Sequence, residues 1–313
     1  MDNLAMYENN KSVQQLFCPT GLYGVHLKIL ISALNIPLCV TAFLGNTLII
    51  VAIKKVSSLR PHSKLLFSCL AATDLCVGAI TQPLFVIYLM SPEHSKLCFY
   101  AVVPFLTIGM IFCGVSLLTL SAISVDRLLA LLLGIRYRQV VTLRRVRIMV
   151  ATFWIVCTLL AVTLTYNIGI SYYMAFVILI LCTVTSTFCY LKIYLTLRHR
   201  QTLVRDHFQR GQPNGGRIPL NNLTRYKKTV SSALCLQMTL LACYFPMIIL
   251  ILISEFQEPT ASIEFASSVA ITLFLLNSTL NPFVYCWKMR EIRQAVKDMI
   301  GQLWCFSGAL RCC

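Results

Sequence analysis

An all-α membrane protein is the fold class this sequence predicts, a seven-transmembrane helix bundle followed by a short amphipathic eighth helix. Three observations carry that reading. Of the 313 residues, 58% are hydrophobic and only 12% charged, with a mean hydropathy of +0.75. A soluble domain carries about twice that charged fraction. Seven stretches with little or no charge approach or exceed the ~20 residues that a helix needs to cross hydrocarbon. Finally, the net charge of +16 gathers on one side of those stretches.

The first 26 residues are polar and lack the basic start, apolar stretch and small-residue cleavage site of a secretory signal. They form an outer N-terminal segment, and Asn10-Lys11-Ser12 within it is a glycosylation sequon. Residues 27–287 hold the bundle. Its spans are Leu27–Ile53, Leu65–Met90, Leu97–Leu133, Ile148–Tyr166, Ile168–Leu197, Val230–Ser254 and Ile263–Trp287. The third is long enough to tilt or to project beyond the bilayer. The fourth and fifth are divided only by Tyr166-Asn167-Ile168-Gly169. From Ile148 to Leu191 there is no charge, and one helix of that length would reach about 66 Å, thicker than a bilayer. The chain therefore turns back there through a very short loop, where Asn and Gly tolerate left-handed backbone angles.

Charge fixes the orientation. With the N-terminus outside, every Lys and Arg except Lys11, Lys28 and Lys96 falls in cytoplasmic segments or at their helix ends. Asp2, Glu8, Glu93, Glu255, Glu258 and Glu264 lie on the outer side. Basic residues near span ends face the cytoplasm, so the basic excess is a topology signal. It flanks lipid spans rather than forming a soluble patch, which argues against a nucleic-acid partner. Residues 288–313 form a cytoplasmic tail. Met289, Ile292, Val296, Met299, Ile300, Leu303 and Trp304 share one helical stripe, the pattern of a helix lying on membrane lipids. Cys305, Cys312 and Cys313 beside it are palmitoylation candidates, or plain reduced thiols. Of the 15 cysteines only Cys18 and Cys98 face the oxidising exterior, as a disulfide or as two free thiols.

Polar groups kept in lipid mark function. Asp74 is the one acid deep in a span, and Asn46, Ser116, Asn277, Ser278 and Asn281 offer polar groups from other spans. Such oxygens suit a hard cation, a sodium-type site, or a dry hydrogen-bond network. Asp126 and Arg127 close the third span, as an interfacial anchor or as a contact for a cytoplasmic partner. Pro246 and Pro282 each remove a backbone hydrogen bond mid-helix and kink it.

In this order these residues resemble a rhodopsin-like (class A) G-protein-coupled receptor over nearly the whole chain. The resemblance rests on Gly45-Asn46, Asp74, Asp126-Arg127, Trp154, Pro246 and Asn281-Pro282-Phe283-Val284-Tyr285, and Gly134-Ile135-Arg136-Tyr137 looks like the family's second intracellular loop. It implies that Asp126 restrains Arg127 at rest and that Arg127 later meets the G protein. Ile135 would insert into that partner, and Tyr190 and Tyr285 would steady the open state. Asp74, Ser116, Asn277, Ser278 and Asn281 match the family's sodium pocket, with sodium as an allosteric modulator. Tyr244 stands where the family keeps a Trp, Leu128 where it keeps a Tyr, Tyr226 where many members keep an acid, and Cys182 where it keeps a proline. The short second outer loop and missing proline resemble the melanocortin, lysophospholipid and cannabinoid branch, and the "NPFVYCWKMREIRQAV" ending resembles adenosine receptors.

Gly109, Leu275, Leu84, Val102, Leu106 and Ile251 replace residues that bind amines, retinal, basic peptides or adenosine in relatives. An apolar pocket for an extracellular lipid or neutral small molecule is the expectation. The expected function is a plasma-membrane receptor that couples such a ligand to a heterotrimeric G protein. The alternatives are a seven-helix transporter or ion pump, or a divergent receptor that does not signal. No internal repeat of the transporter kind is present, and the five histidines lie at span ends or in loops, so no enzyme site is expected. Epitope tags on the two termini should label from opposite sides of the membrane in intact and permeabilised cells; labelling from one side would break the seven-span reading.

Overall fold

The computed structural model describes residues 24–57, 59–92, 95–209, 242–253 and 260–310, and all the regular structure among them is helical. In chain order the helices are α1 (Val25–Lys55), α2 (Pro61–Cys76), a π-helical segment (Val77–Thr81), α3 (Gln82–Met90) and α4 (Lys96–Leu133). A 3₁₀ turn (Gly134–Arg136) and the short α5 (Tyr137–Val140) follow, then α6 (Leu143–Tyr166), α7 (Ile168–Gln209), α8 (Ala242–Ile253), α9 (Ala261–Lys288) and α10 (Arg290–Leu310). Among the described residues six helical spans are long and apolar enough to cross a membrane. The expected sixth span is represented by α8, its other residues lying outside the described ones.

α4 is the hub. It packs on α2 and α3 on one side and on α6 and α7 on the other, while α1 sits between α2 and α9. The packing inverts the pattern of a soluble protein. Asn35, Asn46, Asp74, Gln82, Ser116, Asn277 and Asn281 are buried, while Ile155, Leu159, Leu181, Val184 and Phe188 are exposed. Apolar side chains gain as much from lipid as from the interior, so burial sorts for polar partners and small residues. Hydroxyls that cannot reach water turn back on their own helix. Thr47, Thr107, Thr183 and Thr272 each donate to the carbonyl four residues earlier.

Small residues set the closest approaches. A Cβ on Gly78 would stand 2.8 Å from the Ala42 Cβ and 2.9 Å from the Phe43 nitrogen, so α1 lies directly on the π segment. The Cys39 thiol donates to the Gly78 carbonyl at 2.9 Å. Pro83, two residues beyond that segment, has no N–H to continue the ladder, so the widened turn falls where the ladder is already interrupted. Likewise a Cβ on Gly114 would meet the Cys157 sulfur at 2.8 Å, and one on Gly45 would meet Pro282 at 3.0 Å. Pro37 and Pro104 also lie inside helices, beyond the two prolines singled out in the sequence.

The α6–α7 turn is a single residue, Asn167. Its backbone is extended (φ −151°, ψ 103°), and its side-chain Oδ1 accepts from the Ile170 N–H at 3.0 Å. The turn thus falls where expected but works through a helix cap; the only glycine with positive φ among the described residues is Gly134 (φ 52°), which ends α4. α10 packs on α1 and α9. Ile292, Val296 and Met299 of its apolar stripe are buried in the bundle's core cluster, and Ile300 faces outward. The stripe is therefore shared between protein and surroundings.

Replacing Gly78 with Val should overpack the α1 contact and cost about 1–3 kcal/mol. Gly301→Ala, in open space, should cost nothing, and thermal unfolding of the purified chain distinguishes the two.

Candidate functional site

Two polar constellations lie along the bundle. One closes the basic end. Asp126 ends the last turns of α4 in a buried position, and the Tyr137 hydroxyl from α5 donates to its Oδ1 at 2.5 Å. The same hydroxyl lies 2.7 Å from His62 Nε2, on the first turn of α2. His62 is 3.9 Å from that carboxylate oxygen. Arg127 Nε stands 3.9 Å from the other oxygen, an ion pair too long for a hydrogen bond. The Arg127 guanidinium instead lies 5.4 Å from the Phe67 ring centroid, and that of Arg60 lies 5.0 Å from the Tyr137 ring. The expected Asp126–Arg127 partnership is thus present but loose, because Tyr137 holds the carboxylate first. Ile135, on the turn just before Tyr137, is 96% exposed.

Sequence reasoning missed His62 and Phe67. Both sit on α2, and His62 reaches Tyr137 across 75 residues of chain. Only the packing of α2 beside the end of α4 brings them in, and no local spacing signals it.

The second constellation surrounds Asp74, which is completely buried. Its Oδ1 accepts from Ser116 Oγ and Ser278 Oγ, each at 2.9 Å, and its Oδ2 accepts from Asn281 Nδ2 at 2.7 Å. Asn46 Nδ2 bonds the Ser278 carbonyl at 3.0 Å, tying α1 to the same spot. Four of the five residues expected around a cation therefore converge, Asn281 through its amide N–H and the others through oxygens. Asn277 does not: its amide donates to the Tyr244 hydroxyl at 3.2 Å. Tyr244 supplies a polar tip reaching toward α9, and its ring meets Phe274 edge-on at 4.9 Å; that acceptor draws Asn277 away from Asp74. One carboxylate and two hydroxyl oxygens around a point fit a small hard cation.

The remaining expected residues lie outside these two sets of hydrogen bonds. Tyr285 is buried with its ring edge-on to Phe67 at 5.3 Å, and its hydroxyl has no hydrogen-bond partner among the described residues. Tyr190 is buried in a cluster with Leu128, Leu131 and Ile193, so the unusual Leu128 serves as its packing surface. Pro246 lies half-buried in α8, and Pro282 is buried in α9 against Gly45.

A cavity of about 230 Å³ opens between α4, α6, α7, α8 and α9. Leu106, Gly109, Ile251 and Leu275 line it as expected, together with Met110, Phe176 and Phe274, and among the described residues no charged side chain does. Leu84 and Val102 do not line it; they pack into neighbouring apolar clusters. Cys98 is disulfide-bonded, and none of the nine free described cysteines is its partner. Asn10, Cys18, Tyr226, Cys312 and Cys313 lie outside the described residues; Cys305 lies on α10 with its side chain undescribed.

The family model described as 7 transmembrane receptor (rhodopsin family) matches residues 45–171 and 161–285. The chain belongs to that family. It is 26% identical over 280 residues to adenosine receptor A3 of Ovis aries, covering 81% of this chain and 84% of that receptor. It is also 26% identical over 283 residues to melanocortin receptor 5 of Rattus norvegicus, covering 87% and 83%. The chain is accordingly a multi-pass membrane receptor that signals through G proteins, and it is not an enzyme. Nothing in these relationships favours a transporter.

Tyr137→Phe should remove the donor on Asp126 and leave a buried carboxylate oxygen unsatisfied, at a cost of about 1–3 kcal/mol. A lower melting temperature of the purified receptor, with Tyr166→Phe as the exposed control, checks this.

Proposed function

We propose that the receptor sits in the plasma membrane with its N-terminus outside and its basic end in the cytosol, and that its ligand is a lipid or neutral small molecule. The observation carrying the ligand class is that the described residues lining the 230 Å³ cavity are all uncharged. A charged ligand would lose its hydration there without gaining a counter-charge. Aromatic and aliphatic walls repay an apolar one.

In this reading ligand binding shifts α8 and α9 about Pro246 and Pro282, with Tyr244 and Asn281 re-pairing as they move. Arg127 leaves its loose pairing with Asp126 and meets the G protein's C-terminal segment. Ile135, already bare, fills an apolar socket on that partner. Tyr190 and Tyr285, enclosed now, supply hydroxyls to the opened end. Asp74, Ser116, Ser278 and Asn281 would hold sodium, which supplies a positive charge that neutralises the buried carboxylate and resists the rearrangement. Cys18 is the proposed partner of Cys98. Asn10 carries glycan, and Cys305, Cys312 and Cys313 carry acyl chains that hold α10 at membrane lipids.

Nucleotide exchange by purified receptor with a panel of heterotrimeric G proteins tests the reading. Fractions of an organic lipid extract should raise exchange, and Met110→Trp, which fills the cavity, should cut potency about tenfold, the equivalent of ~1.4 kcal/mol. Arg127→Ala should abolish exchange. Activation only by charged, water-soluble fractions would overturn the ligand class. Raising sodium at constant ionic strength should lower basal exchange in the wild type and leave Asp74→Asn unaffected.

A further inference from the structure

At the basic end a second cavity, a groove of about 430 Å³, runs between α4, α6 and α7, apart from the ligand cavity. Its walls are apolar, among them Leu118, Val125, Met149, Phe153 and Leu181. Leu181 is 60% exposed on the lipid-facing side of α7, so the groove opens toward hydrocarbon. A water-soluble partner does not reach such a surface; a membrane lipid does.

The end of the groove nearest the α4–α6 connection is different in character. Arg145 lines it, and Arg145 Nη1 donates to the Val140 carbonyl at 2.8 Å. That bond places the guanidinium at the rim and leaves its other N–H groups for a further acceptor. Arg136, Arg138, Arg144 and Arg147 are exposed around it. Between Asp126 and Asp206 the chain has no acidic residue. Asp126 also lines the groove, but its carboxylate is buried and bound to Tyr137. An apolar trench ending in a cationic rim complements one kind of membrane component, a molecule with hydrocarbon chains and an anionic head.

We propose that this groove binds one anionic phospholipid from the leaflet at the basic end, with an acyl chain between α4, α6 and α7 and its phosphate on Arg145. Val140 and Val141 form part of the same lining. The seated lipid therefore braces the segment that presents Ile135, five residues before Val140.

Native mass spectrometry of the purified full chain tests this, using phosphatidylserine and phosphatidylcholine with identical acyl chains. The wild type should retain a single phosphatidylserine in preference to phosphatidylcholine by at least about fivefold, the advantage of one nearby basic residue. Arg145→Gln should bring the two lipids to parity. Arg147→Gln, exposed and outside the lining, should leave the preference intact. Met149→Trp, which fills the groove, should lose the retained molecule of either lipid; Leu181→Trp does the same from the opposite wall if the first variant fails to fold. Equal retention of both lipids by the wild type would overturn the proposal. So would an equal effect of Arg147→Gln and Arg145→Gln, which means diffuse attraction instead of a seat, or retention unchanged by both tryptophan variants.

Discussion

Asp74 sits in the middle of a low-dielectric bundle with no access to water, and the arrangement of at least three helices follows from satisfying it. Ser116 brings α4 to it, and Ser278 and Asn281 bring α9. Asn46 of α1 reaches the Ser278 backbone rather than the carboxylate, so α1 joins at one remove. An unpaired buried carboxylate would cost far more than any single apolar contact returns. In lipid, where apolar side chains gain little by choosing protein over bilayer, such groups and the close glycine contacts determine which helix faces which.

From that centre a continuous set of contacts leads to the basic end. Asn281 stands one helical turn before Tyr285, Tyr285 packs edge-on to Phe67, and Phe67 underlies the Arg127 guanidinium. Asp126 is held on its other side by Tyr137, with His62 as the third member. The Arg127 charge is thus placed by an aromatic ring as much as by its acidic neighbour. A cation on an aromatic face gives up less when it leaves than one locked in a bidentate ion pair.

Much of this was legible in the sequence. Hydropathy located the six long spans seen among the described residues, because a bilayer imposes a minimum length that few other structures need. The Asp74 cluster was readable because buried polar residues are costly in lipid and must meet one another. What stayed hidden depends on rotation and depth. Asn277 and Ser278 are adjacent on α9 yet serve different partners, and only the placement of Tyr244 decides which turns toward Asp74. His62 read as a residue at a helix end, since nothing local tells that Tyr137 will fold back over it. The π segment was invisible too; Pro83 and Gly78 are compatible with an ordinary kink.

The single-residue junction at Asn167 has a mechanical consequence. With no slack between α6 and α7, these two helices form a clasp whose closed end stays put. Any tilt of α7 must swing from there. Tyr190 lies 23 residues along that arm, about 34 Å at 1.5 Å per residue, so each degree of tilt carries it roughly 0.6 Å. A hairpin this tight turns small adjustments beside the apolar cavity that Tyr172 and Phe176 line into larger travel at the far end of α7.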